Sequence, residues 1–92
     1  MESISNRNVQ GMFERCERSA RTAGVDTTRW ALKTGTATYG RSYGVVNVDP
    51  TTGGQGDVFT FGQTRRSAWD GLHSAARAFE LAAWAISNER AL

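Results

Sequence analysis

The longest regular pattern of apolar residues lies in the last third of the chain. No proline interrupts residues 64–90, and the apolar positions recur at steps of three and four, the spacing of one buried helix face. These positions are Ala68, Leu72, Ala75, Ala76, Phe79, Ala83 and Ile86. Thr64 is the predicted N-cap, because its hydroxyl can accept a hydrogen bond from a free backbone N–H of the first turn. The pattern predicts a helix over residues 64–90 with this face in the core.

The C-terminal half of the same helix carries a second apolar face. Leu81 and Trp84 lie about 100–180° around the helix from the Leu72 row, so they do not share its core. Trp is a common interface anchor, and the small residues Ala78 and Ala85 would let a second helix approach closely. We predict a protein interface here, formed by Ala78, Leu81, Trp84 and Ala85. The alternative is that the first helix of the chain covers this side.

A shorter periodic pattern predicts a first helix over residues 6–23. Its apolar positions are Val9, Met12, Phe13, Cys16, Ala20 and Ala23. Gly24 follows the last of them and can take the left-handed conformation that ends a helix. Because Cys16 falls on this stripe, we interpret it as a small buried hydrophobe and not as a nucleophile.

Between the two helices the composition changes to residues typical of strands and turns. We predict three strands, at about residues 28–34, 38–48 and 57–61, with a turn at Gly35 and a long loop over residues 49–56. In the first strand Trp30 and Leu32 alternate with Arg29, Ala31 and Lys33, as expected of a strand with one buried side. The predicted class is α+β in the order α-β-β-β-α: a three-stranded antiparallel sheet with both helices on one face, in a single domain spanning residues 1–92.

The second strand has a small side and a large side, and either could face the helices. We place the small side, Gly40, Ser42, Gly44, Val46 and Val48, under the helices because glycines allow close approach. Tyr39, Arg41 and Tyr43 would then face outward beside Arg29 and Lys33. Arg65 and Arg66 at the start of the last helix complete the predicted basic and aromatic set.

Composition excludes several classes of protein. The chain has 92 residues, 39% of them hydrophobic and 22% charged, as is ordinary for one globular domain. A net charge of +2 does not by itself indicate a protein that binds nucleic acid. Residues 1–4 do not open a signal-peptide pattern, and no apolar run is long enough to span a membrane, so we expect a cytoplasmic protein.

Residues that could carry catalysis are sparse. Cys16 and His73 are the only cysteine and histidine, neither lies in a nucleophile motif, and no ligand pair has metal spacing. We interpret His73 as a boundary residue beside the apolar stripe. We therefore predict no enzyme activity, no catalytic or metal site and no cofactor.

The element order and the Arg65-Arg66 pair resemble the double-stranded-RNA-binding domain, in which basic residues at the start of the last helix contact phosphates. The likeness is one of topology, because Ala68 and Trp69 stand where that family's basic cluster continues. This resemblance implies a nucleic-acid-binding module as the alternative function.

A second resemblance covers most of the chain. Its motifs are Gly24-Val25-Asp26-Thr27-Thr28, Trp30 with Leu32, Thr38-Tyr39-Gly40-Arg41 with Tyr43, and Thr64 with Arg66, Ala68, Asp70 and Leu72. They resemble a family of small proteins encoded by bacteriophages of mycobacteria and related actinobacteria. The resemblance implies a phage accessory protein that acts by binding a host bacterial protein, itself as a homodimer, or both.

Overall fold

The computed structural model describes the backbone of residues 4–37 and 40–90 and the side chains of residues 4–33 and 43–89. Two helices flank three strands in the chain: α1 (Asn6–Thr22), β1 (Trp30–Ala37), β2 (Gly40–Val48), β3 (Gln55–Thr60) and α2 (Arg65–Arg90). The strands form one antiparallel sheet in the order β1-β2-β3. The predicted α+β class, with the order α-β-β-β-α, is confirmed.

Local side-chain and backbone hydrogen bonds fix the ends of the helices. Ser5 caps α1 through a reciprocal capping box with Asn8. At the other end Gly24 has a φ of 94°, and the Val25 N–H donates to the Ala20 carbonyl, which closes the helix in a left-handed cap. Thr64 Oγ1 accepts from the Ser67 N–H at 3.0 Å, so the predicted N-cap of α2 is confirmed.

The sheet differs from the prediction mainly in where its first strand ends. The predicted turn at Gly35 is wrong, because the β1–β2 ladder continues from Trp30 opposite Asn47 to Ala37 opposite Gly40. The long loop is shorter than predicted, since β3 already begins at Gln55. The turn that remains is held by Asp49, whose carboxylate accepts from the Thr51 N–H at 2.8 Å.

The core lies between the two helices and one face of the sheet. Its buried members come from α1, β2 and α2: Val9, Phe13, Cys16, Tyr43, Val45, Ala68, Leu72 and Ala76. Partly buried residues packed against them include Trp30, Leu32, Phe59, Phe61 and Phe79. The predicted helix phases and the inward sides of Trp30 and Leu32 are therefore confirmed.

The predicted orientation of β2 is wrong. Tyr43 is only 6% exposed and belongs to the core with Val45, so the large side of the strand faces the helices. Gly44 lies on the other side of β2, where a Cβ would come within 2.7 Å of the Phe59 carbonyl oxygen of the neighbouring strand. The lack of a side chain at Gly44 therefore allows β2 to pair with β3 beside the irregularity at Val45 and Val46. It does not serve the close approach of a helix.

The close contact between helix and sheet uses a glycine of α2 instead. A Cβ on Gly71 would lie 2.6 Å from Cε1 of Phe61, so the missing side chain makes room for that ring. Phe61 follows β3, and its N–H donates to the Tyr43 carbonyl at 2.9 Å. The glycine inside α2 thus lets the end of the sheet fit against the helix.

The two helices run parallel and differ in length. Arg65 of α2 reaches the Ile4 carbonyl near the start of α1, and Arg15 reaches Glu80 further along both helices. Every residue from 84 to 89 is exposed, so the last turns of α2 lie beyond the packed body. Ile86, predicted to continue the buried stripe, is 39% exposed, and that part of the prediction is wrong because Ile86 lies in the turns of α2 that extend beyond the described core. Within the part of the chain that the structure describes, neither helix is long and apolar enough to cross a bilayer.

Candidate protein-binding surface

One surface of α2 carries large apolar side chains that the fold leaves uncovered. Leu81 is 61% exposed and Trp84 is 65% exposed, more than any other large apolar residue described in the structure. We call this surface the outer α2 face and define it by exposed side chains on one side of the helix: Ser74, Arg77, Ala78, Leu81, Trp84, Ala85 and Asn88. It contains all four residues of the predicted interface.

The rest of the molecule lies against other sides of α2. Glu80 bonds to Arg15 of α1, and Ala83 shares a shallow cavity with Arg18, Ser19 and Thr22 of that helix. Phe79 packs against Trp30 and Phe59 of the sheet. The first helix, α1, therefore does not cover Leu81 and Trp84. The alternative that the sequence left open is thus wrong.

Arg77 is a member of this face that the sequence reasoning did not single out. Seven residues separate it from Trp84, which at about 100° per residue puts both on the same flank of the helix, about 20° apart. Its side chain is 59% exposed, and its one described ion pair, to Glu80, is long at 3.5 Å. Heptad spacing between a cation and an indole was the signal that could have identified it.

The predicted basic and aromatic set is not brought together on one surface. Tyr43 lies in the core, whereas strand alternation puts Lys33 on the sheet face away from the helices, and Arg29 lies in the turn before β1. Tyr39 lies outside the described residues, and only the backbone of Arg41 is described, within β2.

The two arginines at the start of α2 make contacts within the molecule. Arg65 donates to the Ile4 carbonyl at 3.3 Å, and Arg66 donates to the Asp70 carboxylate at 3.3 Å. The Arg66 guanidinium also lies 5.8 Å from the Trp69 ring, and the His73 ring stacks on that indole with centroids 5.2 Å apart. His73 is half-buried in this stack, as expected of a boundary residue.

Two ionisable groups with shifted pKa values, Glu80 and Cys16, have structural positions in the fold. Hydrogen bonds from Arg15 are the largest influence on the Glu80 carboxyl, and they hold its pKa below the ordinary value of 4.5. Burial raises the pKa of the Cys16 thiol to about 11, so the sulfur stays protonated and unreactive at neutral pH. Among the described residues no three acidic, histidine or cysteine side chains come together as a metal site.

Comparison with known proteins adds no relative to this picture. No protein-family model, curated protein or solved structure matches the chain. The resemblance to the actinobacteriophage family stays a prediction that rests on the sequence motifs.

Proposed function

We propose that this chain is a small accessory protein that acts by binding another protein through the outer α2 face, without catalysis of its own. The observation that carries the proposal is the exposure of Leu81 and Trp84 on neighbouring turns of one helix. A folded domain exposes single apolar residues commonly, but a Trp next to a Leu among small neighbours is the composition of an interface anchor.

The shape of this face also fits protein binding. Ala78 and Ala85 leave the helix backbone accessible on either side of Leu81, so a partner helix can pack at close range. The face lies on a regular helix of 26 residues, which holds the anchor side chains in fixed relative positions. A partner would therefore meet a pre-organised surface and would not have to order a loop on binding.

The sequence resemblance supports one setting for this binding. If the chain is a phage accessory protein, its partner is a host bacterial protein, a second copy of the chain, or both, encountered in the host cytoplasm. Small proteins that lack catalytic groups act in such a setting by occupying or linking the surfaces of other proteins.

The direct test is the double variant Leu81→Asp with Trp84→Glu. Both changes put charge on exposed positions of an ordered helix, so circular dichroism should show a folded protein. We expect the variant to lose partners that the parent recovers from an actinobacterial lysate, because charged side chains would have to be desolvated in the interface.

The matched control is Val25→Asp with Val58→Glu, two other apolar residues that are each 36% exposed and lie outside α2. This control should keep the partners of the parent. A folded Leu81 and Trp84 variant that recovers the same partners as the parent would overturn the proposal.

A further inference from the structure

The seam along the outer α2 face has the spacing of a helix-pairing sequence. Ser74, Ala78, Leu81, Ala85 and Asn88 follow one another at alternating steps of four and three, and all five are exposed and uncharged. This is the heptad spacing with which two helices pack side by side over several turns. At about 1.5 Å per residue the seam is roughly 21 Å long.

Two pairs of residues on the outer α2 face are placed symmetrically about Leu81. Ser74 and Asn88 are each seven positions away, and Ala78 and Trp84 are each three positions away. A two-fold axis through Leu81 would bring each residue against its counterpart in an antiparallel copy. Leu81 would then meet Leu81, the amide of Asn88 would meet the hydroxyl of Ser74, and the bulky Trp84 would lie over the small Ala78.

The one cation on this face has a matching partner in the same arrangement. An antiparallel pair brings the same flanks of the two helices together, and Arg77 and Trp84 share a flank about 20° apart. Their positions are symmetric about Leu81 to within one residue, so each guanidinium would lie against the indole of the other copy. A cation over an indole face is favourable, and it would occur twice. A parallel pair would instead bring opposite flanks together, so Arg77 would lie on the other side of the seam from the partner's Arg77 and Trp84.

We infer that a second copy of this chain pairs with the outer α2 face in an antiparallel, two-fold arrangement centred on Leu81, with Arg77 of each copy over Trp84 of the other. This inference rests on the proposed function, since it names the partner of the same surface. Trp84 is 65% exposed, so each copy would bury only part of the roughly 150–250 Å² of a large aromatic side chain through it. Because a standard interface buries about 800 Å² per partner, the pair should be reversible and dependent on concentration.

Sedimentation over a wide concentration range tests the association. The parent should pass from monomer to dimer, and Arg77→Glu should raise the dissociation constant about tenfold or more. Arg66→Glu is the matched control, because Arg66 lies on the same helix, is 61% exposed against 59% for Arg77, and likewise has one intrahelical ion pair. It should leave the dissociation constant within about twofold of the parent.

Oxidative cross-linking tests the orientation. An equal mixture of a Ser74→Cys variant and an Asn88→Cys variant should form a disulfide between the two, whereas either variant alone should not. The parent, whose Cys16 is buried, controls for background. Cross-links within the Ser74→Cys variant alone would show a parallel pair and overturn the inference.

The failure of this inference differs from the failure of the proposed function. A parent that stays monomeric at every concentration, while the Leu81 and Trp84 variant loses its lysate partners, overturns self-pairing and leaves the proposed function standing. A Leu81 and Trp84 variant that retains both the mass and the partners of the parent overturns both self-pairing and the proposed function.

Discussion

Two glycines inside helices have opposite surroundings. Gly71 of α2 faces the Phe61 ring, whereas a Cβ on Gly11 of α1 would have no atom within 4 Å. At either position glycine makes the helix less stable by about 1 kcal/mol than alanine would, because of its lower helix propensity. Only Gly71 gains a packing contact in return, so the two positions separate helix propensity from core packing.

This difference predicts opposite effects of the same substitution. Gly11→Ala should raise the free energy of unfolding by up to about 1 kcal/mol, because nothing opposes the gain in propensity. Gly71→Ala should lower it by about 1 kcal/mol net, because the added methyl displaces Phe61 and overpacking outweighs the propensity gain. Urea denaturation of both variants measures this. Equal stabilisation by the two substitutions would show that Phe61 does not fill the space above Gly71.

For single residues, the sequence correctly predicted a buried or exposed side chain where the helix period decided which side it lies on. Leu81 and Trp84 were assigned to the face opposite Leu72, and both are exposed. Tyr43 was assigned to solvent and is buried, because a period of two leaves the choice of strand face to tertiary packing. The volume of Tyr43 and Val45 decided that choice, together with the tight space at Gly44.

At the scale of elements, an ion pair links the two parallel helices. Arg15 donates to both carboxylate oxygens of Glu80, at 2.9 and 3.2 Å, and the Ser19 hydroxyl lies 3.4 Å from the same group. The Glu80 pKa in the folded protein is below 4.5, its ordinary value in an unfolded chain. The ionised pair therefore stabilises the fold above that value, and the contribution is lost as the pH falls through the folded pKa.

Removal of this charge should have an effect that depends on pH. Glu80→Gln should lower the melting temperature at pH 7, and the difference from the parent should shrink as the pH falls below about 4.5. Glu14→Gln, a change of an exposed glutamate on α1, is the control and should shift the melting temperature little at either pH. Thermal melts of the three proteins from pH 3 to 7 provide the comparison. A deficit in Glu80→Gln that persists at pH 3 would contradict this account of the pair.

The order and type of the elements could be predicted from the hydrophobic patterns of the sequence, but some of the element ends could not. The caps at Gly24 and Thr64 could be predicted because each depends on the residue's own backbone freedom or side chain. Gly35 carried a turn signal, yet cross-strand pairing extends β1 past it. Ile86 kept the helix period, but periodicity does not tell where the neighbouring elements stop.

At the scale of the whole molecule, the charges are spread over several surfaces. Lys33 lies on the sheet face away from the helices and Arg29 in the turn before β1, while Arg65 and Arg66 lie at the start of a helix on the other face of the sheet. The net charge is only +2. Binding of nucleic acid depends on releasing counterions from many phosphates, which calls for a continuous basic surface.

We therefore expect no tight binding of RNA or DNA. A gel-shift titration at low salt should show no stable complex with a duplex or a single strand. The matched comparison is the variant without Arg41 and Arg65, which should behave like the parent. Tight complexes whose affinity falls steeply with salt, with a slope that flattens in this variant, would favour the nucleic-acid alternative over protein binding.

We propose that this chain binds protein through the outer α2 face. The most direct measurement is a set of two-dimensional NMR spectra of the labelled chain, recorded over a range of its own concentration and then with a recovered partner added. We predict chemical-shift changes confined to the backbone of residues 74–88 and the Trp84 indole N–H. Changes centred on the open face of the sheet, with Trp84 unaffected, would contradict it.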